Sequence, residues 1–254
     1  MTKHRFFISP ENIIDRRVIF PKDLQSQISR VLRLKPGDEV EVLDNKGETF
    51  LVRLVNEPDL TFSGEIISSK PEQTDPRVHL TLFFGLTQRE KLEWILQKGT
   101  EIGISEFQPF ISRRTLVQQG ERAEKHQARW DAILREASEQ CGRGRIPELF
   151  RPLKFTDAIK VSLASCGLVI AAWEEETVND LKAVLGINKP ASVGLFCGPE
   201  GGFDPVEIDL MHNAGIQFFS LGNRILRMET AAMIAPALVL YELGEMAVSK
   251  KPNF

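Results

Sequence analysis

The fold of this chain is decided by the stretch Val193-Gly194-Leu195-Phe196-Cys197-Gly198-Pro199-Glu200-Gly201-Gly202-Phe203-Asp204-Pro205. Its first five residues form an apolar run that is typical of a strand buried on both faces. At its end, Asp204 can cap a helix, Pro205 suits the first helical position and Glu207 completes a capping box. Because a buried strand leads through a glycine-rich loop into a helix, the stretch predicts an α/β fold.

The same alternation of strands and helices extends on either side of this stretch. Apolar runs predict strands at Val78–Leu86, Leu168–Ala172 and Phe218–Leu221, and helical periodicity predicts helices at Arg89–Ile102, Glu121–Gln140, Val178–Leu185 and Pro205–Ala214. Strands that alternate with helices favour a mostly parallel sheet with helices on both faces. The sequence therefore predicts an α/β domain over residues 76–254.

The residues before this domain have a different pattern. Apolar residues recur at helical spacing from Asp23 to Leu34, which predicts a short amphipathic helix. The residues from Val40 to Val55 alternate and contain turns, which predicts a β-hairpin within a small barrel. The polar, proline-containing segment from Ser68 to Pro76 is interpreted as a linker. We therefore predict a smaller domain at residues 1–72.

Charge is distributed unevenly along a chain whose net charge is -3 and whose pI is about 5.9. Residues 1–35 hold eight Lys or Arg against three Asp or Glu, and residues 111–154 hold ten against six. The first group includes Arg30 and Arg33, which lie off the apolar stripe of the predicted helix. Such stretches are either solvated faces or local contacts for phosphate groups, since salt screens the more distant acidic residues.

The chain has no signal-peptide pattern at its N-terminus and no apolar run of membrane-spanning length. Its three cysteines, Cys141, Cys166 and Cys197, are far apart and have no histidine at metal-ligand spacing. We therefore expect a soluble, cytoplasmic protein with reduced thiols, no membrane partner and no metal site.

Two loops that follow predicted strands are candidate ligand sites, because open α/β sheets bind ligands beyond the carboxyl ends of their strands. One is the glycine loop at residues 198–203, and the other runs from Leu221 to Ala231 and contains Arg224 and Arg227. Ordinary turns and ion pairs would also account for such residues. Neither loop has the glycine spacing of a dinucleotide site or the Gly-Lys-Ser or Gly-Lys-Thr of a triphosphate site. What remains is a ligand held by backbone amides and apolar walls.

At these motifs the chain resembles the bacterial ribosomal RNA uridine-N3-methyltransferases called RsmE, of the SPOUT superfamily. Four stretches match in the order and spacing of that family: Arg5-Phe6-Phe7, Glu139-Gln140-Cys141-Gly142-Arg143 with Arg145-Ile146-Pro147-Glu148, the glycine loop, and Leu221-Gly222 with Arg224-Ile225-Leu226-Arg227-Met228-Glu229-Thr230-Ala231. Lys98, Glu101, Gly103 and Pro109 also match, so the resemblance spans nearly the whole chain. One departure is Met228, where many relatives have threonine.

The resemblance implies a small N-terminal PUA-like β-barrel and a C-terminal methyltransferase domain with a deep trefoil knot. It also implies the cofactor S-adenosylmethionine, bound in a bent form by the loops of the knot. Carried over position by position, the expected cofactor-binding residues are Ala172, Trp173, Cys197, Gly198, Pro199, Glu200, Gly201, Gly202, Ser220, Leu221, Gly222, Ile225, Leu226, Met228, Thr230 and Ala231.

Methyl transfer from a sulfonium to uridine N3 is an in-line displacement that requires the loss of one proton and no metal. Arg143 and Arg227 are the candidate stabilisers of the negative charge, and Arg5 is expected to contact the target nucleotide or its phosphate. Glu139 and Glu200 are the candidate bases, although either carboxylate could instead hold backbone amides. The expected RNA contacts are Arg5, Arg30, Arg33, Arg113, Arg114 and Arg145.

The last predicted helix, from Thr230 to Met246, is apolar almost all round and must be buried on more than one side. Together with the resemblance, this pattern predicts a homodimer that acts on ribosomal RNA, within the small ribosomal subunit. Two alternatives stay open: a methyltransferase of the same fold that acts on another RNA such as transfer RNA, and a noncatalytic RNA-binding factor in ribosome assembly.

Overall fold

The computed structural model describes residues 4–57, 60–115, 122–186 and 190–247. The chain divides into two compact units. The first comprises Met1–Asp75 with Ser138–Ile146, and the second comprises Pro76–Ala137 with Pro147–Phe254. The segment Ser138–Ile146, which the sequence-based boundaries assign to the larger domain, therefore groups with the smaller one.

The first unit is built on a six-stranded sheet. Its strands are β1 (Arg5–Phe7), β2 (Ile13–Ile14), β3 (Arg17–Ile19), β4 (Glu39–Leu43), β5 (Glu48–Glu57) and β6 (Leu60–Pro71), in the order β1-β4-β5-β6-β3-β2. β1 and β4 are parallel, and the other neighbours are antiparallel. The predicted hairpin is confirmed as β4 and β5. Alternation along these strands buries Val40, Val42, Val52 and Leu54 in one core.

The helix predicted from Asp23 to Leu34 is shorter and less regular than expected. α1 spans Lys22–Ser26 and continues into a π-helical turn, Gln27–Val31. The chain then leaves helical geometry, because Arg33 adopts a φ of 55°. The wider π turn changes the angle between successive side chains, so Val31 leaves the predicted apolar stripe and is 72% exposed.

The predicted linker Ser68–Pro76 contains the boundary between the two units, which falls after Asp75, but most of the segment is structured as part of the first unit. β6 continues to Pro71, and the Glu72 carboxylate accepts hydrogen bonds from Arg5 (2.7 Å) and from Thr49 (2.8 Å). Asp75 accepts a hydrogen bond of 2.7 Å from Arg143. Glu72 and Asp75 thus make specific ion pairs within the first unit. A polar composition is the same for residues that form such ion pairs and for residues of a solvated linker.

The second unit is built on a seven-stranded sheet whose described pairings are all parallel. Its strands are β7 (His79–Gly85), β8 (Glu106–Ile111), β9 (Glu148–Leu149), β10 (Leu153–Lys154), β11 (Leu168–Ala172), β12 (Ser192–Cys197) and β13 (Gln217–Phe219). The order is β10-β8-β7-β12-β11-β13, and β9 pairs with β8. The predicted parallel sheet is thereby confirmed.

The helices of the second unit are α2 (Arg89–Ile102), α3 (Arg122–Cys141), α4 (Phe155–Ser165), α5 (Leu181–Leu185), α6 (Pro205–Asn213) and α7 (Met228–Glu242), and the last turn of α3 belongs to the first unit. All five helices predicted for the second unit are present, and α4 is an additional helix that was not predicted. The capping box is present: Asp204 accepts from the Val206 amide, and Glu207 accepts from the Asp204 amide. No helix within the described ranges is long and apolar enough to cross a membrane.

Sequence reasoning missed β8, which contains Pro109. Proline cannot donate to a ladder and argues against a central strand. On the side away from β7, however, β9 pairs only with Glu106 and Phe107, and β10 only with Phe110 and Ile111. Pro109 therefore lies opposite a break in the pairing, where Nε2 of Gln108 donates to the Arg151 carbonyl at 2.8 Å.

Candidate functional site

Three strands of the second unit end at the same level of the sheet. Ala172, the last residue of β11, is in register with Cys197 of β12 on one side and with Phe219 of β13 on the other. Neighbouring strands lie about 4.8 Å apart, so the glycine loop after Cys197 and the turn after Phe219 start roughly 10 Å from each other. The two candidate loops thus leave the same edge of the sheet, with Trp173 between them.

The glycine loop packs closely against the end of β7 and against the residues after β11. An atom at the Cβ position of Gly85 would lie 2.6 Å from Cα of Pro199, so this approach requires glycine. Gly202 has a φ of 69°, and its Cβ position would lie 2.6 Å from the Glu174 carboxylate. Arg114 donates to the Gly201 carbonyl at 3.0 Å. The loop therefore presents backbone rather than side chains at this edge.

The second candidate loop, which is the turn after Phe219, is anchored at its start and exposed further along. The Ser220 amide donates to the Asn179 carbonyl at 3.0 Å, and Gly222 has a φ of 94°. Ile225 is 88% exposed. Arg224 and Arg227 are also exposed, and neither side chain forms an ion pair with any residue that the structure describes. The turn therefore offers two guanidinium groups and an apolar side chain to a ligand.

A cavity of about 320 Å³ lies beside this turn. Its walls come from the turn, from α5 and from α7, and comprise Asp180, Leu181, Lys182, Ser220, Leu221, Leu238 and Glu242. Leu181, Leu221 and Leu238 supply the apolar surface of this cavity, and Asp180, Lys182 and Glu242 supply charged groups.

Glu200, the carboxylate of the glycine loop, is held by neighbouring side chains. Its Oε1 accepts hydrogen bonds from Thr87 and, at 3.2 Å, from Lys91, and Lys91 also lies 3.5 Å from Glu229. Burial raises the pKa of Glu200, but hydrogen bonds from Thr87, from its own backbone amide and from Lys91 together outweigh it and lower the pKa below its usual value. A carboxylate with a lowered pKa is a weak proton acceptor, which favours an anchoring role over that of a base.

Comparisons with known proteins bear on the same two units. A family model described as an RNA methyltransferase domain matches residues 74–240. This chain belongs to the RNA methyltransferase family. A second model, an RNA methyltransferase PUA domain, matches residues 28–67 within the first unit.

Two relatives of this RNA methyltransferase carry the same name. Ribosomal RNA small subunit methyltransferase E of Synechocystis sp. is 32% identical, covering 93% of this chain and 77% of that protein. The protein of the same name from Bacillus subtilis is 29% identical, with 85% and 86% covered. A crystal structure of ribosomal RNA small subunit methyltransferase E from Neisseria gonorrhoeae bound to S-adenosyl methionine has a TM-score of 0.83 at 28% identity, covering 94% of this chain and 98% of that one.

Other expected cofactor residues of this family member differ in their surroundings. Cys197 is fully buried, which raises the pKa of its thiol to about 12 and makes it chemically inert. Met228 is buried where α7 begins, so its side chain packs in the core. Thr230 and Ala231 lie in the first turn of α7 and are partly exposed. Trp173 packs edge-on against Phe218, with ring centroids 5.5 Å apart.

The structure places Arg5, Glu139 and Arg143 in the first unit, whereas Glu200 and Arg227 belong to the second unit. Glu139 accepts from the Phe7 amide at 3.2 Å. Arg5 pairs with Glu72 at 2.7 Å and lies 3.6 Å from Glu41. Arg143 is 6% exposed and pairs with Asp75. These contacts hold Ser138–Ile146 against β1 and the end of β6.

The expected RNA contacts are mostly at the surface. Arg30, Arg33 and Arg145 are exposed on the first unit, and Arg145 donates to the Lys46 carbonyl. Arg113 and Arg114 are exposed on the second unit, 3.5 and 3.9 Å from Asp204. Arg5 differs from the other five arginines because its side chain is largely buried.

Sequence reasoning missed Lys91, Thr87 and Glu229, which surround Glu200. One signal was available for Lys91. It lies in the first turn of α2, where the helix dipole disfavours a cation. Asp75 and Glu72 were also missed because they fell in the segment interpreted as a linker.

Replacing Arg143 by methionine tests whether its role is structural. The Arg143→Met variant leaves Asp75 without its guanidinium partner, so we expect the free energy of unfolding to fall by about 3 kcal/mol. Arg145→Met, which changes an exposed neighbour, should alter it by less than about 0.5 kcal/mol. Chemical denaturation measures both. Unchanged stability in Arg143→Met together with lost methyl transfer would assign Arg143 to catalysis instead.

Proposed function

We propose that this protein is an S-adenosylmethionine-dependent methyltransferase that methylates a uridine at N3 in small-subunit (16S) ribosomal RNA. The observation that carries the proposal is the shared register of Cys197, Ala172 and Phe219, which brings a glycine loop and an arginine-bearing turn to one edge of a parallel sheet. Support also comes from relatives, covered over 77% and 86% of their length, that carry the name of a small-subunit ribosomal RNA methyltransferase.

The residues at this edge suit a sulfonium nucleoside. Glycines at 201, 202 and 222 leave backbone groups open to a ligand, while Leu181, Leu221 and Leu238 provide apolar walls. S-adenosylmethionine supplies an electrophilic methyl group when bound. We assign its binding to the residues expected from the sequence in the three segments after β11, β12 and β13, with Cys197 and Met228 contributing through backbone or packing.

The protein's own contribution to the reaction is orientation and charge stabilisation. Arg227 is exposed at the N-cap of α7, and its guanidinium is available to stabilise the anion of a uracil that releases its N3 proton to solvent. Arg224 is a second available cation, on the turn after Phe219. Arg5 and Arg143 are engaged by carboxylates in the first unit, so we assign them to shaping that unit and, for Arg5, to the phosphate side of the substrate. Glu139 and Glu200 both act by holding backbone or neighbouring groups.

We further propose that the chain acts as a homodimer in the cytoplasm and that its C-terminal segment forms a trefoil knot. Ile234, Leu238 and Tyr241 form an exposed apolar stripe on α7, and Tyr241 is 66% exposed. Such a stripe is covered economically by a second copy. For the knot, the support is the pairing of Ser220, after β13, with Asp180, in the earlier connection from β11 to β12.

The function is tested by mapping modified nucleosides in RNA from cells that lack the protein. Mass spectrometry of small-subunit ribosomal RNA should reveal the loss of one N3-methyluridine, and purified protein with S-adenosylmethionine should restore it. If a methyl group is lost from transfer RNA instead, the substrate is transfer RNA and the proposed target is wrong. Intact methylation of all RNA, with a defect confined to subunit assembly, would support a noncatalytic factor.

Replacing Gly201 by valine should weaken cofactor binding while the protein remains folded. Gly201 is exposed and has an ordinary φ, but a Cβ there would lie 3.1 Å from Cβ of Arg114, so valine would push the loop away from Arg114. We expect at least a roughly tenfold loss of affinity in calorimetry. Gly167→Val, an exposed glycine at the opposite edge of the sheet, is the matched control. Equal affinities in the two variants would mean that the pocket lies elsewhere.

The double variant Arg30→Glu/Arg33→Glu should weaken RNA binding and flatten its dependence on salt. Each lost phosphate contact lowers the slope of log K against log salt by about 0.7 to 0.9, so two contacts lower it by roughly 1.5. The control Lys154→Glu/Lys160→Glu makes the same change in net charge on the second unit. A slope that falls equally in both variants, or in neither, would remove Arg30 and Arg33 from the interface.

Leu238→Glu should convert the dimer to a monomer in light scattering, because it buries a charge in the proposed contact. Leu210→Glu is the control, since Leu210 on α6 is 41% exposed and Leu238 is 39% exposed. A dimer that survives Leu238→Glu would exclude this stripe as the interface.

A further inference from the structure

Lys91 occupies an unfavourable position for an isolated cation. It lies in the first turn of α2, which begins at Arg89, and the unpaired amides of a helix N-terminus repel positive charge. Its side chain is also only partly exposed. A lysine kept at such a position requires compensating negative charge close by.

Two carboxylates from different parts of the chain provide that charge. The Lys91 ammonium lies 3.2 Å from Oε1 of Glu200 and 3.5 Å from Oε2 of Glu229. The two carboxylate oxygens are therefore less than 7 Å apart, well within the distance at which like charges repel. Oε2 of each glutamate is buried, and neither has a hydrogen-bond partner among the described residues. Without a cation between them, these two side chains would separate or share a proton.

The two glutamates belong to the two segments that form the proposed cofactor site. Glu200 is the carboxylate of the glycine loop, and Glu229 is the second residue of α7, two residues after Arg227. Thr87 donates to Glu200 from the connection between β7 and α2, so the loop is fastened to the start of α2 by two contacts. α2 in turn packs along α7. Lys91 is thus the point at which the glycine loop and the start of α7 meet.

We propose that Lys91 is a positioning residue for the cofactor, because its ammonium bridges Glu200 and Glu229 and so fixes the spacing of the two segments that enclose the ligand. The proposal rests on the proposed function. Lys91 is not assigned a contact with the cofactor. Lys91 acts by fixing the distance between the glycine loop and the start of α7, next to Arg227.

The test is calorimetry with S-adenosylmethionine on the full-length protein and four variants. Lys91→Met keeps the length of the side chain and removes the charge, and should weaken binding about tenfold. Lys91→Arg, which retains the bridge, should bind like the unmodified protein. Lys91→Met/Glu229→Gln removes the repulsion as well as the ammonium and should regain most of the lost affinity. Lys98→Met is the control, because Lys98 lies on the same helix and pairs only with Glu101 at 2.8 Å among the described residues.

The outcomes separate this proposal from the function on which it rests. Failure of the unmodified protein to bind S-adenosylmethionine would overturn the proposed function. Binding by the unmodified protein and by Lys91→Met with equal affinity would overturn the role of Lys91 alone. A double variant no better than Lys91→Met would do the same, because a side chain needed only for packing gives no rescue by removal of a second charge. If Lys91→Met does not fold, Lys91→Arg and the double variant are compared with the unmodified protein. Affinities close to that of the unmodified protein in both would support the role of Lys91, and a loss of affinity in Lys91→Arg would overturn it.

Discussion

Parallel pairing of β11 with both β12 and β13 is the constraint on which the rest of this structure depends. The backbone groups of a buried strand must all be paired, so the register of these three strands is fixed over their whole length. A slip of one residue would turn every core side chain of a strand to the opposite face. Because Ala172 is in register with both Cys197 and Phe219, the segments that follow the three strands start at one level. The site is a consequence of this register.

Two kinds of interaction then shape the segments that leave this edge. Close backbone packing requires glycine where the loop meets β7, at Gly85, and where it meets Glu174, at Gly202. In the second unit, Lys91 restricts these segments further through its ion pairs with Glu200 and Glu229. In the first unit, Arg5 and Arg143 are engaged by carboxylates of that unit. These contacts leave Arg224 and Arg227 uncommitted among the described residues. The distinction between engaged and available arginines separates groups that hold the fold from groups that can meet a substrate.

Local signals allowed much of the fold to be predicted from the sequence. The capping box of Asp204 and Glu207 spans only four residues, so it can be recognised without knowledge of the fold. The apolar runs of β11 and β12 identify these segments as buried strands in the same way. β8 was missed because tolerance of Pro109 depends on a break between β9 and β10, which no local pattern records. Both candidate loops were identified from the sequence, but the contacts that join Lys91 to Glu200 and Glu229 were not, since these residues are brought together only by the sheet. The ion pair between Asp75 and Arg143 likewise could not be predicted, because the two residues are 68 positions apart in the sequence. The polar segment that contains Asp75 was therefore interpreted as a linker.

A crystal structure of the protein grown with S-adenosylmethionine tests the central claim most directly. The claim is that the glycine loop and the turn after β13 enclose one ligand at the carboxyl edge of the sheet. The predicted result is cofactor density bounded by Gly198–Gly202 on one side and by Ser220–Ile225 on the other. Density that touches only one of these segments, or that lies at the opposite edge of the sheet, would contradict it.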